Sequence, residues 1–368
     1  MEELIALITL LQIDGLGGRQ VRRLRQLWGA LQAIWDVSSA KPMPSLLQKH
    51  LSNLSIYRKK AENILHLCDK LRIQVIPYYE RDFPPLLEEV SSPPALLYKK
   101  GEHSLMGQPL VAVVGTRKPT AYGLRVTEVF VEALVDAGVG IVSGLAYGID
   151  AKAHQVALAK RGKTIAVLAH GLERIYPPAH RRLAEAILAE GAWVSEYPPG
   201  SKLHPLNFPH RNRILAGLSH ITLVVESRLK GGALFTARAA FEANRPVFAI
   251  PGDIFSHASE GAHVLIARHI AQLAYSPQAL LEELRVQTER IPLPTSLPSE
   301  FKGPESPLHA KIYDLLAEGP KHIDEVCARV GCSITEISHH LLQMEIDGWI
   351  RQKPGGFVIR EGPPSATS

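Results

Sequence analysis

Runs of apolar, often β-branched residues recur through the middle of the chain, and helix-like patterns separate them. The runs lie at 110–114, 139–142, 164–168, 192–194, 221–225 and 247–250, and the helix-like patterns lie at 122–137, 148–160, 179–190, 211–218 and 233–243. Continuous apolar strands that alternate with helices are typical of a parallel sheet covered by helices on both faces. The pattern therefore predicts a doubly wound α/β domain over residues 76–285.

Residues 1–75 have the spacing of short helices. Apolar residues recur at helical intervals over 4–11, Gly15–Gly18 interrupts them, and the helical spacing resumes at Val21. A helix, a Gly-x-Gly turn and a second helix resemble a helix-hairpin-helix or SAM-like domain, whose turn amides can approach a DNA phosphate. An ordinary turn between two helices of a small bundle explains the same glycines. The nearby Arg19, Arg22, Arg23 and Arg25 fit either DNA contact or a solvated helix face.

Prolines mark two further segments. Residues 82–98 contain two Pro-Pro pairs, and because proline lacks a donor we expect an extended strap there, neither regular helix nor central strand. Residues 286–307 are rich in Pro and Ser and are predicted to be a linker. Residues 308–360 follow with the pattern helix, turn, helix, helix and hairpin, which predicts a winged-helix domain.

Composition narrows the class of protein. No stretch of about 18 or more apolar residues is present, and Met1–Leu4 lacks the basic start of a secretory signal, so we expect a cytoplasmic protein without a membrane span. Three cysteines suit a reducing compartment. Cys327 and Cys332 have histidines nearby, but their spacing matches no common zinc finger, and we expect buried thiols and no metal.

Positive charge is concentrated in two of the three predicted regions. Residues 1–75 hold 11 Lys/Arg against 6 Asp/Glu, residues 111–275 hold 18 against 12, and residues 305–360 hold 6 against 8. The first two regions therefore permit an anionic partner. The predicted recognition helix, 334–346, offers only histidines and glutamates, so for the last domain we expect protein contact or auxiliary binding.

Phosphate-binding residue types gather where the predicted strands end. In an open α/β sheet, ligands bind at the carboxyl ends of the strands, near free helix amides. Glycines, hydroxyls and cations follow four of the strands there, in the segments 115–120, 143–148, 207–213 and 226–232, and Phe208 lies in the third of these. The candidate ligand-binding residues are Gly115, Thr116, Arg117, Lys118, Ser143, Gly144, Lys202, Phe208, Arg211, Asn212, Arg213, Lys230 and Gly231.

The first of these loops is no dinucleotide fingerprint, because Arg117 stands where the second glycine would be needed. A charged residue at that point suits a phosphate that approaches the loop from outside, as on a nucleic-acid backbone. The alternative is that Arg117 pairs with a neighbouring carboxylate. Phe208 fits either base stacking or an apolar anchor for its Pro- and Arg-rich loop. Arg211, Asn212 and Arg213 cannot all face inward from one helical turn, so we expect at least one to meet the ligand. No cofactor is expected.

Two sets of residues allow an enzymatic interpretation. Asp150 and His154, four apart at a helix start, could be an acid–base pair, and Glu196 at a strand end could be a general base. A helix dipole and a core histidine explain the first pair, and neither a nucleophile elbow nor a Walker loop accompanies them. Structural roles are favoured for all three.

The same segments resemble the DprA/Smf (DNA-processing protein A) family. The similar stretches are 111–123, 142–154, 166–177, 195–200, 207–219 and 249–252, in the order found in the family. The resemblance implies a Rossmann-like domain that binds incoming single-stranded DNA during natural transformation without altering it chemically. It also implies a homodimer through that domain and assistance in loading RecA recombinase. Arg117 is implied to bind phosphate, and Phe208, Arg211 and Arg213 are implied to contact DNA.

This chain departs from the family pattern at two places. Many relatives have lysine where Pro205 stands, and Lys202 or His204 could substitute for it. His263 stands where relatives often have asparagine.

Two rival functions remain open. The first is a nucleotide hydrolase similar to the phosphoribohydrolases, since 231–236 superficially resembles their Gly-rich loop; the glutamate expected soon after Thr236 is absent. The second is a transcription regulator built on the winged helix, which would prefer a specific duplex.

Overall fold

The computed structural model describes residues 1–36, 44–290, 306–316, 319–346, 349–353 and 356–360. The chain forms two compact units, Met1–Pro294 and Thr295–Ser368, and each is described by itself. No helix in the described part of the chain combines the length and apolar character needed to cross a membrane.

The first unit begins with a group of helices. These are α1 (Glu2–Leu11), α2 (Gly18–Trp28), a 3-10 turn (Leu31–Trp35), α3 (Ser45–Gln48) and α4 (Leu54–Lys70). Their buried residues share one core with Tyr98, Leu168 and Trp193, which belong to the sheet that follows. The predicted helical region is therefore packed on the α/β sheet.

The Gly-x-Gly turn and two of the arginines that follow it contribute to the packing of the helices on the sheet. Gly18 lies against the backbone of Pro93 and Ala95, where a Cβ would come within 2.7 Å of the Pro93 carbonyl oxygen. The Arg22 guanidinium donates to Glu88 and to the Pro94 carbonyl oxygen, and it lies 4.1 Å from the Tyr78 ring centroid. Arg25 donates to Glu3 at 2.9 Å. Arg19 and Arg23 are exposed.

A nine-stranded sheet forms the centre of the first unit. Its strands are β1 (Gln74–Pro77), β2 (Leu96–Lys100), β3 (Leu110–Val114), β4 (Gly140–Ser143), β5 (Thr164–Leu168), β6 (Ala192–Ser195), β7 (Ile221–Val224), β8 (Val247–Ala249) and β9 (Gln272–Leu273). The helices between and after them are α5 (Ala121–Asp136), α6 (Ile149–Ala159), α7 (Arg181–Glu190), α8 (Asn207–Leu218), α9 (Ala233–Glu242), α10 (Glu260–Ala267) and α11 (Pro277–Arg290). The strand order is β1-β2-β6-β5-β4-β3-β7-β8-β9, and every pair from β6 to β9 is parallel. The predicted doubly wound, Rossmann-like fold is confirmed.

The order of the strands reverses between β3 and β7. From β3 the chain continues outward through β4, β5 and β6, and it then returns to β7 and continues to the other side through β8 and β9. The loops after β3 and β7 therefore leave in opposite directions and open a crevice between them. This switch point is where open α/β sheets hold their ligands.

The proline-rich strap differs from the prediction in one part. Residues 85–88 form a 3-10 turn, but Leu96–Lys100 form β2, which pairs antiparallel with both β1 and β6 and is therefore an interior strand. The prolines end just before it, at Pro93 and Pro94, so every residue of β2 keeps its backbone donor. The predicted linker also starts too early, since α11 continues to Arg290; residues 291–305 lie outside the described residues.

The second unit is a winged helix, as predicted. It contains α12 (Pro307–Leu315), β10 (Lys321–His322), α13 (Ile323–Val330), α14 (Ile334–Ile346), β11 (Ile350–Lys353) and β12 (Phe357–Arg360). The three strands pair in the order β10-β12-β11. Ile312, Val326, Ile337 and Leu341 form its core, and Cys327 and Cys332 are partly buried against that core.

Candidate nucleic-acid interface

The loops that follow the parallel strands meet at one edge of the sheet. The loop after β3 touches the loop after β4, because Ile149 N–H donates to the Thr116 carbonyl oxygen at 3.2 Å. Gly148, with φ of 81°, lies so close to Thr116 and Arg117 that a Cβ there would collide with their backbone. Because glycine has no side chain, the two loops can pack together at Gly148 with Arg117 at the surface.

Arg117 lies over an aromatic ring at this edge. Its side chain is exposed, and the guanidinium carbon is 5.9 Å from the centroid of the Phe208 ring. Phe208 in turn contacts Tyr176, with ring centroids 5.8 Å apart and planes inclined by 60°. Phe208 is half-buried and Tyr176 is 42% exposed. Phe208 belongs to the first turn of α8, which starts at Asn207, earlier than its sequence pattern predicts.

A further aromatic residue flanks this group. Tyr147, which precedes Gly148, is 47% exposed and packs edge-on against His180, with centroids 4.7 Å apart. His180 is held by a 2.9 Å hydrogen bond between its Nδ1 and the Leu145 carbonyl oxygen. We call Arg117, Phe208, Tyr176 and Tyr147 the outer layer of the interface.

Beneath the outer layer, Arg211 is buried. It is 5% exposed, and its guanidinium donates to the carbonyl oxygens of Gly144, at 2.9 Å, and Val167. These carbonyls lie where β4 and β5 end, so Arg211 joins the two strand ends. Burial lowers the pKa of Arg211 to about 10, which leaves it charged at neutral pH.

Asp150 provides the negative charge near this arginine. Its Oδ2 accepts from the N–H groups of Gly144 at 3.1 Å and Ala146 at 3.4 Å. Burial raises the pKa of the Asp150 carboxyl, whereas the charge of Arg211 and these two donors lower it. A Cβ on Gly144 would come within 2.7 Å of both Arg211 and Asp150, so only glycine fits between them.

His154 completes the inner layer, which we define as Arg211, Asp150 and His154. Its Nδ1 is 2.7 Å from the Thr164 hydroxyl, which itself donates to the Ile141 carbonyl oxygen. The hydroxyl proton is therefore used, so His154 donates from Nδ1 and its Nε2 is an unprotonated, buried atom without a partner in the described residues. Burial lowers the pKa of His154 to about 3. A histidine that is neutral and fully enclosed is poorly suited to proton exchange with a substrate.

The two residues after Arg211 also have partners within the protein. Asn212 donates to the Gly232 carbonyl oxygen at 3.2 Å, which ties α8 to the loop before α9. Arg213 forms an ion pair with Glu196, and both side chains are largely covered. This ion pair gives Glu196 a structural role.

The other candidate residues divide into exposed and internal groups. Lys118, Lys202 and Lys230 are exposed, and they form no ion pair among the described residues. Ser143 is fully buried and donates to the Val113 carbonyl oxygen at 2.7 Å. Gly115, Gly231 and Thr116 shape the loops: a Cβ on Gly115 would collide with Ile149, one on Gly231 would collide with Ser227, and the Thr116 hydroxyl accepts from Lys118 N–H at 3.2 Å.

The crevice at the switch point contains a carboxylate. Glu226, 2% exposed, accepts from the backbone N–H of Thr120 at 2.9 Å and from its hydroxyl at 2.5 Å. Thr120 is the N-cap of α5 and its side chain accepts from Gly123 N–H. The carboxylate therefore lies against the start of a 16-residue helix, where the helix dipole favours negative charge.

Tyr147, Tyr176 and Glu226 were not among the candidate ligand-binding residues predicted from the sequence. Tyr176 follows a stretch with neither strand nor helix spacing, and its signals were a position after a predicted strand and a place in the family-similar stretch 166–177. Tyr147 lay within a glycine loop already singled out, and an aromatic residue among glycines could have drawn attention to it. Glu226 directly follows the predicted strand 221–225, but its contact with Thr120 spans 106 positions and leaves no local pattern.

Comparison with known proteins places this chain in a family. The family model described as DNA recombination-mediator protein A matches residues 74–285, more than half of the chain. The chain belongs to this family. A second model, the DprA winged helix domain, matches residues 296–356.

Individual members of the DNA recombination-mediator protein A family resemble the chain over most of its length. Protein Smf of Escherichia coli is 38% identical over 356 residues, covering 95% of this chain and 94% of that protein. The X-ray structure of DNA processing protein A from Streptococcus pneumoniae has a TM-score of 0.63 at 33% identity, covering 76% of this chain and 97% of that one. DNA processing protein A from Helicobacter pylori, whose structure is described as giving its single-stranded DNA binding mode, has a TM-score of 0.53 at 29% identity, covering 58% and 96%.

Proposed function

We propose that this protein binds single-stranded DNA along the carboxyl edge of its parallel strands. One observation carries the proposal: an exposed arginine, Arg117, lies over Phe208, which contacts the exposed Tyr176. An arginine supplies charge for a phosphate, and the rings supply faces on which unpaired bases stack. In a duplex the base faces are already stacked, so this combination selects a single strand.

The surrounding cations extend the phosphate-binding surface. Lys118 lies beside Arg117, Lys202 precedes α8, and Lys230 lies in the loop after β7; all three are exposed. Each contact between such a cation and a phosphate releases counterions and makes the affinity depend on salt. The inner layer, in this proposal, holds the loops in place and does not itself meet the DNA.

Membership of the family supports a proposal about the biological role. We propose a DNA-processing role in natural transformation, in the cytoplasm, with no chemical step, and with the protein acting as a homodimer that helps load RecA recombinase. The single-stranded DNA binding described for the Helicobacter pylori protein supports the first part. Similarity to the family over most of the chain supports the remainder.

A nucleotide hydrolase fits this edge less well. Such an enzyme needs a crevice open to a phosphate and a carboxylate free to act on the substrate. Here the Glu226 carboxylate fills the crevice and is bound by Thr120, and Glu196 is paired with Arg213. We therefore advance no second function.

Fluorescence anisotropy with a labelled oligo-dT and with a duplex of equal length tests the proposal. Single-strand affinity should exceed duplex affinity by about tenfold or more, roughly 1.4 kcal/mol, and should fall as salt is raised. Equal or tighter binding of the duplex would reject the proposal, and release of free base from a nucleoside monophosphate would support the hydrolase.

A further inference from the structure

Glu226 occupies the position at which this kind of fold holds a ligand's anion. In open α/β sheets the phosphate of a nucleotide lies at the switch point, against the N-terminus of the helix that follows the first strand. In this chain the switch point lies between β3 and β7, and the helix is α5. The Glu226 carboxylate lies there, held by the backbone N–H and the hydroxyl of Thr120.

The first turn of α5 is shaped around this carboxylate. Gly123 is the third residue of the helix, and a Cβ on it would collide with Glu226 Oε2. The Glu226 carbonyl oxygen also accepts from Thr116 N–H at 2.7 Å, so the backbone of the β7 loop is fixed to the β3 loop. The side chain is thus placed by both loops, and it is not a surface group that could turn outward.

A cavity of ligand size adjoins the carboxylate. It has a volume of about 590 Å³ and is lined by Thr120, Tyr122, Glu226, Asp253, Ser256 and Ser259, with Pro251 and Gly252. Ligand pockets commonly measure about 300–1,000 Å³. Ser259, which is 3% exposed, adds a hydroxyl group to the wall of this cavity.

The charges in this cavity oppose a phosphate. Two of the lining residues, Glu226 and Asp253, are carboxylates, and none of the lining residues in the described chain is lysine or arginine. A nucleotide phosphate entering here would meet a carboxylate already bound to the donors it needs. Steric exclusion and like-charge repulsion therefore act together.

We propose that Glu226 is a built-in substitute for a phosphate, which closes the nucleotide crevice of this fold and excludes mononucleotides. The consequence concerns specificity. With the crevice closed, phosphate can be bound only by the exposed cations outside it, which suits a polymer and not a free nucleotide. The proposal does not depend on whether the outer surface binds DNA.

Isothermal titration of the full-length protein with AMP, and with inorganic phosphate as competitor, tests this. The unaltered protein should show no saturable AMP binding at millimolar concentration. Glu226→Ala opens the crevice and exposes the Thr120 N–H and the α5 N-terminus, so it should bind AMP at least tenfold more tightly than the parent, and inorganic phosphate should displace the AMP. Asp253→Ala is the matched control: it removes a carboxylate from the same cavity but not from the helix N-terminus, and should show no such gain.

Two results would overturn the proposal. One is a folded Glu226→Ala protein, judged by thermal unfolding, with no gain in AMP binding. The other is AMP binding by the parent as tight as that of the variant. If Glu226→Ala does not fold, Glu226→Ser keeps a small polar group beside Thr120 and, being shorter, still opens the crevice. It should gain AMP affinity measurably over the parent, and the absence of any gain there would reject the proposal equally. Because no oligonucleotide enters the assay, failure of the proposed DNA binding cannot produce either result.

Discussion

The outer and inner layers of the interface each contain an arginine and use it in opposite ways. Arg117 in the outer layer is exposed, and within the described residues its guanidinium has an aromatic ring as neighbour and no ion-pair partner. Arg211 in the inner layer is 5% exposed and donates to two carbonyl oxygens at strand ends. The first arginine can meet a ligand, whereas the second supports the loop that presents the first.

This difference indicates that burial, and not residue type, decides the role of a side chain at the edge of the sheet. An exposed side chain can bind a ligand, whereas a buried one holds the loops in place. Removing an inner-layer residue should act on stability, and any loss of DNA affinity should follow from displaced loops. Removing an outer-layer residue should act on affinity and leave stability nearly unchanged. The two responses can be measured separately, by urea unfolding and by oligo-dT binding.

Arg211→Ala should produce the largest effect, on stability. The change leaves the buried Asp150 without its neighbouring cation and the Gly144 and Val167 carbonyl oxygens without a donor. Loss of one partner from a buried charged set costs about 3–5 kcal/mol. Urea unfolding should show this decrease, and Arg211→Lys, which keeps the charge, should lose less. A variant of unchanged stability that has lost DNA affinity would instead place Arg211 in contact with the DNA.

His154 should make the inner layer sensitive to acid. The unfolded chain binds a proton at this histidine below about pH 6.5, whereas burial keeps the folded pKa at about 3. Between these values the unfolded state holds the extra proton, so the free energy of unfolding should fall by about 1.4 kcal/mol for each pH unit of acidification from this group alone. In His154→Asn, which retains a donor toward Thr164, the pH dependence between pH 6 and 4 should be shallower by about one proton. An unchanged slope would contradict the buried, neutral histidine.

The sequence predicts the main strands well, because a buried parallel strand is a continuous apolar run. Residues 110–114 and 164–168 match β3 and β5 in full. Three strands of this sheet were not predicted, for physical reasons. β1 has only four residues and ends at Pro77, the prolines beside β2 obscured that strand, and β9 has only two residues, both exposed.

The candidate site was predicted less completely. Two arguments from the sequence pointed to Arg117 and Phe208. One is the rule that ligands bind at the carboxyl ends of parallel strands, and the other is the resemblance to the family. The burial of Arg211 and Ser143 is a tertiary property: each donates to a carbonyl oxygen at least 30 positions away, which no local pattern reports. The same holds for Tyr176, whose place beside Phe208 depends on two loops meeting.

Arg117→Ala tests the outer layer directly. Single-strand affinity at about 0.1 M salt should fall roughly tenfold, or about 1.4 kcal/mol. One lost phosphate contact should also reduce the slope of log affinity against log salt by about 0.7. The melting temperature should hardly change. Arg161→Ala is the matched control, because this exposed arginine follows the far end of α6, at the opposite edge of the sheet. Equal losses in the two variants would indicate a general charge effect.

Tyr176→Ala should reduce single-strand affinity less than Arg117→Ala does, because it removes only a stacking contact with the bases. Stacking of a base on an aromatic ring contributes about 1–3 kcal/mol, and we expect the lower end because Phe208 remains. An oligo-dT should therefore bind about fivefold more weakly. Tyr176→Phe keeps the ring and should bind as the parent does. An abasic oligonucleotide of the same length should not distinguish parent from variant, and if it does, Tyr176 acts on the backbone instead.

Removal of the winged helix should have the smallest effect on single-strand affinity. The first unit has its own cores, and the second unit has a separate one, so a chain ending at residue 290 should fold. Residues 305–360 carry 6 Lys/Arg against 8 Asp/Glu, and 334–346 contains neither lysine nor arginine, so few phosphate contacts are lost with this unit. Oligo-dT affinity should stay within tenfold of the full chain. A greater loss would show that the outer layer is only part of the DNA-binding surface. It would also mean that the winged helix contributes to DNA binding although its net charge is negative.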